Sequence, residues 1–474
     1  MRELFRRNLR FFLIFSSAAL LLRLVFILRF PGVVTDSFVY GDIAKNWLQH
    51  GIYGLSGTQE ISPTYIRLPG YPAFLALIFS IAGMEHYRAV LFVQIFVDLA
   101  SCFLCADIAR RLISSRAAKA AFVLACLCPF LADYSAAALT ETLEVFFTAL
   151  TFDLAIHGLQ LRSMRYWVGA GAACAAAILL RPDGVLLVIA IEIYLFAMAI
   201  TKLKPDSGAA GATPAIQKTL LINLVQCGVI LAVVAALPLI PWTLRNWHTF
   251  HRFQPLAPRY ANEENEFVPM GFNRWVKTWM ADYASVEEIY WQEPGDKIDP
   301  SKLPSRAFDS PEQRDQTEAA IEDYNEALHV SPRLDARFQA LATARIRSHP
   351  ARYYIGLPIL RIMDMWLRPR TEMLPSDSRW WEFDDEPKWL AMAIAFGAVN
   401  LFYVACALVG WMRVRSVELT GLLVLFVVLR SVFLGTLENP EPRYTLEMYP
   451  MVIVFAACAL IRSRSQADVQ NGAS

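Results

Sequence analysis

Charged residues stand directly beside long apolar runs in this chain, and their types suit chemistry at a phosphate. Asp36 lies in Thr35-Asp36-Ser37-Phe38-Val39-Tyr40, and Arg67 in Arg67-Leu68-Pro69-Gly70-Tyr71-Pro72. Glu141 lies in Leu139-Thr140-Glu141-Thr142, and Arg181 in Leu180-Arg181-Pro182-Asp183. Arg245 follows in Pro241-Trp242-Thr243-Leu244-Arg245-Asn246, and Arg443 in Glu441-Pro442-Arg443-Tyr444. A carboxylate can take a proton from an attacking hydroxyl. Guanidinium groups hold phosphate through paired N–H donors and stabilise it as it leaves. A sugar joined to a lipid phosphate meets both requirements.

The elements that position these residues follow from hydropathy. Apolar residues make up 56% of the 474, and mean hydropathy is +0.37. Apolar runs near 11–30, 88–109, 118–136, 139–157, 167–181, 184–201, 219–240, 388–411, 418–437 and 444–462 are each long enough, or nearly so, to cross a hydrocarbon core of about 30 Å as helix. Arg2, Arg6, Arg7 and Arg10 precede the first run; Arg110, Arg111, Arg116 and Lys119 follow the second. Further basic residues mark alternate loops. The positive-inside rule then gives about ten spans with both termini cytoplasmic. The first run carries Arg23 and Arg29 and lacks a clear cleavage site, so it reads as an uncleaved span. Arg23 reads as snorkelling or paired internally.

That orientation puts the charged motifs on one outer face, where intramembrane charge tends to line a polar cavity. The expected organisation is a catalytic transmembrane module over 1–240 with an outer loop at 31–87, an outer and mainly helical insert over 241–387, C-terminal spans over 388–462 and a cytoplasmic tail over 463–474. Amphipathic helices lying on the membrane are expected at Tyr71–Gly83 and near 352–367. In the insert, Ser310-Pro311 and Ser331-Pro332 predict capped helices over 311–328 and 332–348. Residues 204–216 read as a flexible linker. Trp47, Trp242, Trp275, Trp279, Trp380 and Trp381 read as an interfacial belt, or in one or two cases as platforms for a sugar ring.

Other chemistries find little support. A net charge of +1 argues against nucleic acid as a partner. The eight cysteines fall inside spans, where packing is the ordinary reading, even for Cys102-x-x-Cys105. The seven histidines form no ligand cluster in sequence, and His248 and His251 lack a third partner. Nothing requires a cofactor, although a divalent metal would be compatible. Local readings of the site residues also exist: Asp36 with Thr35 could cap a helix beginning near Ser37, Glu141 could favour a helix N-terminus, and Arg181 and Arg443 could reach headgroups.

The ordered set Asp-x-x-x-Tyr, Arg-x-Pro-Gly-Tyr-Pro, Leu-Thr-Glu, Leu-x-Arg-Pro, Pro-Trp-Thr-x-Arg-Asn and Arg-Tyr resembles the GT-C glycosyltransferases. The similarity is greatest to bacterial family-39-like members related to protein O-mannosyltransferases and the lipid A aminoarabinose transferase. It covers the chain to about residue 250 and again about 349–462. The resemblance implies an all-α polytopic membrane enzyme that takes sugar from a polyprenyl or dolichyl phosphate. It implies Asp36 as catalytic base and Glu141 as a second acid in the cavity. It also implies Arg67, Arg181, Arg245, Arg443, Tyr40 and Tyr444 as lipid-phosphate or substrate contacts. Where many members have a second acid beside the first, this chain has Ser37; the next acid is Asp42.

The expectation is therefore an inverting transfer of sugar from a polyprenyl-phosphate donor to a hydroxyl of a lipid, glycan or protein acceptor, at the periplasmic face of a bacterial inner membrane. The alternative is a carrier or flippase of a lipid-linked sugar, for which charges near the bilayer midplane are expected.

Overall fold

The computed structural model describes residues 1–58, 60–203, 214–382 and 386–461; of 202, 203 and 214–217 it describes the backbone alone. The expected linker at 204–216 thus lies outside the described residues except for the first turn of a helix, and the tail at 463–474 lies outside them altogether. The described chain is helical apart from one small hairpin. Lipid offers no partners to backbone N–H and C=O groups, and a helix satisfies them internally.

From the N-terminus run α1 (Arg2–Arg7), α2 (Leu9–Arg29), α3 (Thr35–His50), the antiparallel pair β1 (Gly54–Ser56) and β2 (Ile61–Pro63), α4 (Gly70–Ala82) and α5 (Tyr87–Leu112). Then come α6 (Ser115–Leu127), α7 (Pro129–Ser135), α8 (Glu141–Leu161), α9 (Met164–Leu180), α10 (Val185–Leu203), α11 (Pro214–Ala236) and α12 (Leu239–Phe250). The hairpin was not among the elements expected of the first outer loop. Its strands are too short to show a hydropathy period, and side chains of α3 hold it. Asp42 accepts from the Ser56 N–H at 2.6 Å and the Ser56 hydroxyl at 2.7 Å, and Asn46 donates to the Gly54 carbonyl at 3.0 Å. Burial pushes the Asp42 carboxyl up, but the two Ser56 hydrogen bonds and Lys45 outweigh it and hold it below the usual range.

Among the described residues, seven helical segments are long and apolar enough to cross a membrane: α2, α5, α8, residues 182–201, residues 218–250, α18 (Pro387–Val414) and residues 442–460. The pair α6 and α7 forms an eighth, bent by 51°. Two shorter apolar helices, α9 with 17 residues and α19 (Thr420–Gly435) with 16, fall where two further spans were expected. The chain is a polytopic all-α membrane protein.

The bend in the expected span at 118–136 has a local cause and a distant support. Pro129 has no N–H, so the Ala125 carbonyl loses its donor four residues on. Arg23 of α2 supplies one: its guanidinium donates to the carbonyls of Ala125 at 3.2 Å and Cys126 at 2.5 Å, and Nε pairs with Asp98 of α5 at 2.6 Å. Both Arg23 and Asp98 are fully buried. Arg23→Met strands a buried carboxylate and is expected to cost about 3–5 kcal/mol, whereas Arg23→Met with Asp98→Leu recovers much of it. Unfolding in detergent checks this; equal midpoints for the single and double variants contradict it.

The chain divides into two compact units. The first comprises 1–258, 402–427 and 447–474. In it α5 packs on α6 and α8, α9 packs on α8 and α11, and α20 (Tyr449–Leu460) packs on α5, α6 and α8. The helix α4 packs on α3 and leaves Leu77 and Ile81 exposed.

The second unit comprises 259–401 and 428–446. It contains α13 (Met270–Lys277), α14 (Tyr283–Glu288), α15 (Pro311–Ala327), α16 (Pro332–Ser348) and α17 (Leu357–Leu367). The two helices expected from Ser-Pro pairs are α15 and α16, with Ser310 accepting from the Gln313 N–H and Ser331 from the Leu334 N–H. Trp275 and Trp279 do not belong to an interfacial belt: both are fully buried in a core with Phe272, Tyr324 and Phe338. Trp275 shares with Phe272 and Val276 the face of α13 that turns to this core. In α17, Arg361 is buried and donates to the carbonyls of Met280, Lys277 and Gly435, so this face of the helix is turned inward.

Candidate active site

The two acids of interest each sit in the first turn of a helix, and backbone pairing brings the preceding segments together. Gly32 donates to the Ala136 carbonyl at 2.8 Å, and Ala138 donates to the Gly32 carbonyl at 2.7 Å. Asp36 lies four residues after Gly32, and Glu141 three after Ala138. Gln94 of α5 secures the second segment, donating to the Ala137 carbonyl at 2.6 Å and accepting from the Tyr71 hydroxyl at 2.9 Å. The helix α3 begins at Thr35, so Asp36 lies within its first turn and is not the cap. Ser37 serves the helix terminus, its buried hydroxyl accepting from the Val34 N–H at 3.0 Å. Asp42, the next acid along the helix, holds the hairpin.

Asp36 Oδ1 accepts from Arg67 Nη2 at 3.0 Å, and both side chains are partly exposed. The Arg67 guanidinium lies over the Tyr40 ring at 5.6 Å, and its buried Nε has no hydrogen-bond partner among the described residues. Arg181, at the end of α9, faces Glu141 at 3.9 Å, Glu144 at 3.8 Å and Asp183 at 3.6 Å. Glu141 and Glu144 are each only 4% exposed. Tyr40 links the two groups: burial pushes its hydroxyl up to about 12, with the charges of Arg67, Asp36, Arg181 and Glu141 all acting on it. It therefore stays a neutral O–H donor near neutral pH. Asp36, Arg67, Glu141 and Arg181 thus all act electrostatically on the one buried phenol of Tyr40.

The remaining expected residues lie elsewhere. Arg245 donates to the Tyr53 carbonyl at 2.6 Å and the Thr64 carbonyl at 2.7 Å. Its guanidinium lies 5.2–5.3 Å from the Tyr53, Trp242 and Phe250 rings, bracing α12 against the loop that carries Arg67. Arg443 and Tyr444 belong to the second unit. Arg443 Nε pairs with Glu441 at 2.6 Å, and the Tyr444 hydroxyl donates to the same glutamate. Sequence reasoning missed Glu144, Asp183, Gln94 and Tyr71. Glu144 could have been found, because it follows Glu141 by three residues and so shares its helix face.

Among the described residues, only Asp107, Asp153 and His157 bring three ligand atoms within 4.8 Å of one another. They lie toward the far ends of α5 and α8 from Glu141. Arg110 and Arg111 already occupy Asp107 at 2.7 and 3.1 Å, and the N-terminal ammonium is 3.6 Å away. That donor set is neutralised by cations and fits a metal poorly. Among the described residues, the carboxylates beside Arg181 form no three-ligand group and instead surround its guanidinium.

Residues 66–216 match the family model described as dolichyl-phosphate-mannose-protein mannosyltransferase. No curated protein matches the chain in sequence. Among solved structures, it is similar to the Archaeoglobus fulgidus oligosaccharyltransferase in complex with Zn and sulfate, at 14% identity and a TM-score of 0.50, over 95% of this chain and 48% of that one. It is also similar to ArnT from Cupriavidus metallidurans bound to undecaprenyl phosphate, at 14% identity and a TM-score of 0.40, over 97% of this chain and 79% of that one. The chain spans about half the length of the oligosaccharyltransferases it matches. Likeness at such identities establishes the fold alone, which this chain shares with the Archaeoglobus fulgidus oligosaccharyltransferase.

Proposed function

We propose that this chain, which has the GT-C fold and carries the mannosyltransferase family model over 66–216, is an inverting glycosyltransferase taking its sugar from a polyprenyl phosphate. The observation that carries the reading is that the Asp36–Arg67 pair, with Arg67 over the Tyr40 ring, and the Arg181–Glu141–Glu144 cluster stand on segments joined by the Gly32 pairing with Ala136 and Ala138. Asp36 takes the proton of an acceptor hydroxyl as that oxygen attacks the anomeric carbon from the face opposite the phosphate. The carbon–oxygen bond to phosphate breaks, and the electron pair leaves with the lipid phosphate. A leaving phosphate needs no proton, so one base is sufficient. Arg67 pairs with Asp36 and offers its buried Nε–H toward substrate; Arg181 meets the charge that develops on the phosphate. Glu141 and Glu144 set the position of Arg181, Tyr40 donates a hydrogen bond, and Arg245 is a positioning residue. The site is proposed to face the periplasm of a bacterial inner membrane, both termini being cytoplasmic, with a lipid, glycan or protein hydroxyl as acceptor.

A carrier of the same lipid leaves the sugar–phosphate bond intact. Formation of free polyprenyl phosphate from a labelled polyprenyl-phosphate sugar in membranes containing the protein therefore tests the reading. Cleavage dependent on the protein supports transfer; movement of intact lipid across liposomes without cleavage contradicts it.

Gly70 offers a second test. A Cβ there would stand 2.6 Å from the Leu179 carbonyl oxygen and 2.9 Å from the Leu180 N. Gly70→Ala must push the Arg67–Pro72 segment away from the residue pair preceding Arg181. Misplacement on this scale can cost about 10²-fold in rate. The same cleavage assay, on protein that still inserts, is expected to show that loss, and wild-type cleavage by the variant contradicts the positioning role.

A further inference from the structure

The second unit contains a cavity of about 290 Å³ lined by Arg259, Tyr260, Asn273, Arg274, Lys277 and Glu438, with Met270, Gln339 and Tyr353 completing its wall. Its volume is near the lower end for small-molecule sites, enough for one headgroup or sugar-sized ligand.

The local sequence explains why these side chains meet. Met270, Asn273, Arg274 and Lys277 recur along α13 at the spacing that places residues on one helical face. Phe272, Trp275 and Val276 take the opposite face into the core. Gly271 lets α13 approach α16 closely: a Cβ there would stand 2.1 Å from the Asp335 carbonyl oxygen and 2.9 Å from the Gln339 N. That approach brings Gln339 into the wall. The cavity reaches solvent beside Met270 and Arg259, both more than half exposed.

The charge of the wall is unbalanced. Arg259, Arg274 and Lys277 stand against a single carboxylate, Glu438, which is 3% exposed and accepts from Arg259 at 2.5 Å. Burial lowers the Lys277 ammonium below the usual lysine range, and the charges of Arg259 and Arg361 lower it further against the pull of Glu438. Cations held together in a partly buried wall with too few carboxylates are relieved by an anion. Tyrosines and an amide pair beside them supply flat faces and hydrogen bonds of the kind a sugar or glycerol moiety uses.

We infer that this cavity binds a phosphate-bearing headgroup, with Arg274 and Lys277 on the phosphate and Tyr260, Asn273 and Gln339 on the attached polyol. The two chemical sources are a phosphorylated sugar and a phospholipid headgroup. Nothing in the inference depends on the glycosyltransferase reading, because it concerns binding in the second unit.

The test is calorimetric titration of the full-length protein in detergent with glucose 6-phosphate, with short-chain phosphatidic acid and with glucose. Binding of either phosphate probe, weakened at least tenfold by Arg274→Gln and by Lys277→Gln and weakened by added salt, is the expected result. Preference between the probes identifies the source. Arg274 is partly exposed, so Arg274→Gln carries the test alone if Lys277→Gln unfolds. Asp36→Asn is expected to bind as wild type does, which separates this cavity from the site beside Asp36. Failure of both phosphate probes to bind more tightly than glucose overturns the inference, as does equal affinity in Arg274→Gln.

Discussion

Asp36→Asn is expected to remove nearly all of the proposed glycosyl transfer while the protein still inserts and still binds donor. Asparagine keeps the size of the side chain and can still accept from Arg67 Nη2, so the 3.0 Å contact and the start of α3 persist. What disappears is the capacity to take a proton. General-base catalysis supplies about 10²–10⁴-fold, and a loss of that order is expected in the transfer rate. Donor affinity should change little, because the carboxylate acts on the acceptor. Asp36 is 34% exposed in its side chain, so loss of its ion pair with Arg67 should leave the unfolding midpoint nearly unchanged. A variant that retains the wild-type transfer rate removes Asp36 from the mechanism.

Arg181→Gln is expected to impair both transfer and stability, through the same lost charge. Glu141, Glu144 and Asp183 all stand within 3.9 Å of Arg181, and the two glutamates are buried. Without the guanidinium these carboxylates face one another uncompensated, at a cost of about 3 kcal/mol. Transfer should fall by about 10²–10³-fold, the scale seen when one donor to a developing oxyanion is removed. Arg181→Lys separates the two effects. It restores the positive charge and most of the stability, but a point charge cannot reproduce the paired N–H geometry toward phosphate. Full transfer by Arg181→Lys contradicts a bidentate role, and an unchanged unfolding midpoint in Arg181→Gln contradicts the electrostatic account of the acid cluster.

Local signals in the chain proved readable where the cause was local. Ser310-Pro311 and Ser331-Pro332 mark α15 and α16 because a capping hydroxyl and a residue without an N–H both act within one turn. The spans were legible because hydropathy sums over many residues. Features set by distant partners were not. Pro129 lies inside an expected span, and its tolerance there rests on Arg23, about a hundred residues earlier. Trp275 and Trp279 looked suited to a membrane interface because hydropathy alone does not separate a core from an interface. Arg245 stands in a suggestive motif, yet its visible partners are carbonyls at Tyr53 and Thr64. At the site, Asp36 and Glu141 stood out as charges beside spans and Glu144 shares the helix face of Glu141, while Asp183 became visible only through its approach to Arg181.

The most direct measurement follows label from a panel of radiolabelled undecaprenyl-phosphate sugars into acceptors of bacterial membranes that contain either the wild-type protein or Asp36→Asn. The account predicts that at least one labelled sugar leaves its lipid for a membrane acceptor with the wild type and stays on the lipid with Asp36→Asn. Label that remains on the lipid for every sugar with both proteins, or that moves equally with both, contradicts it.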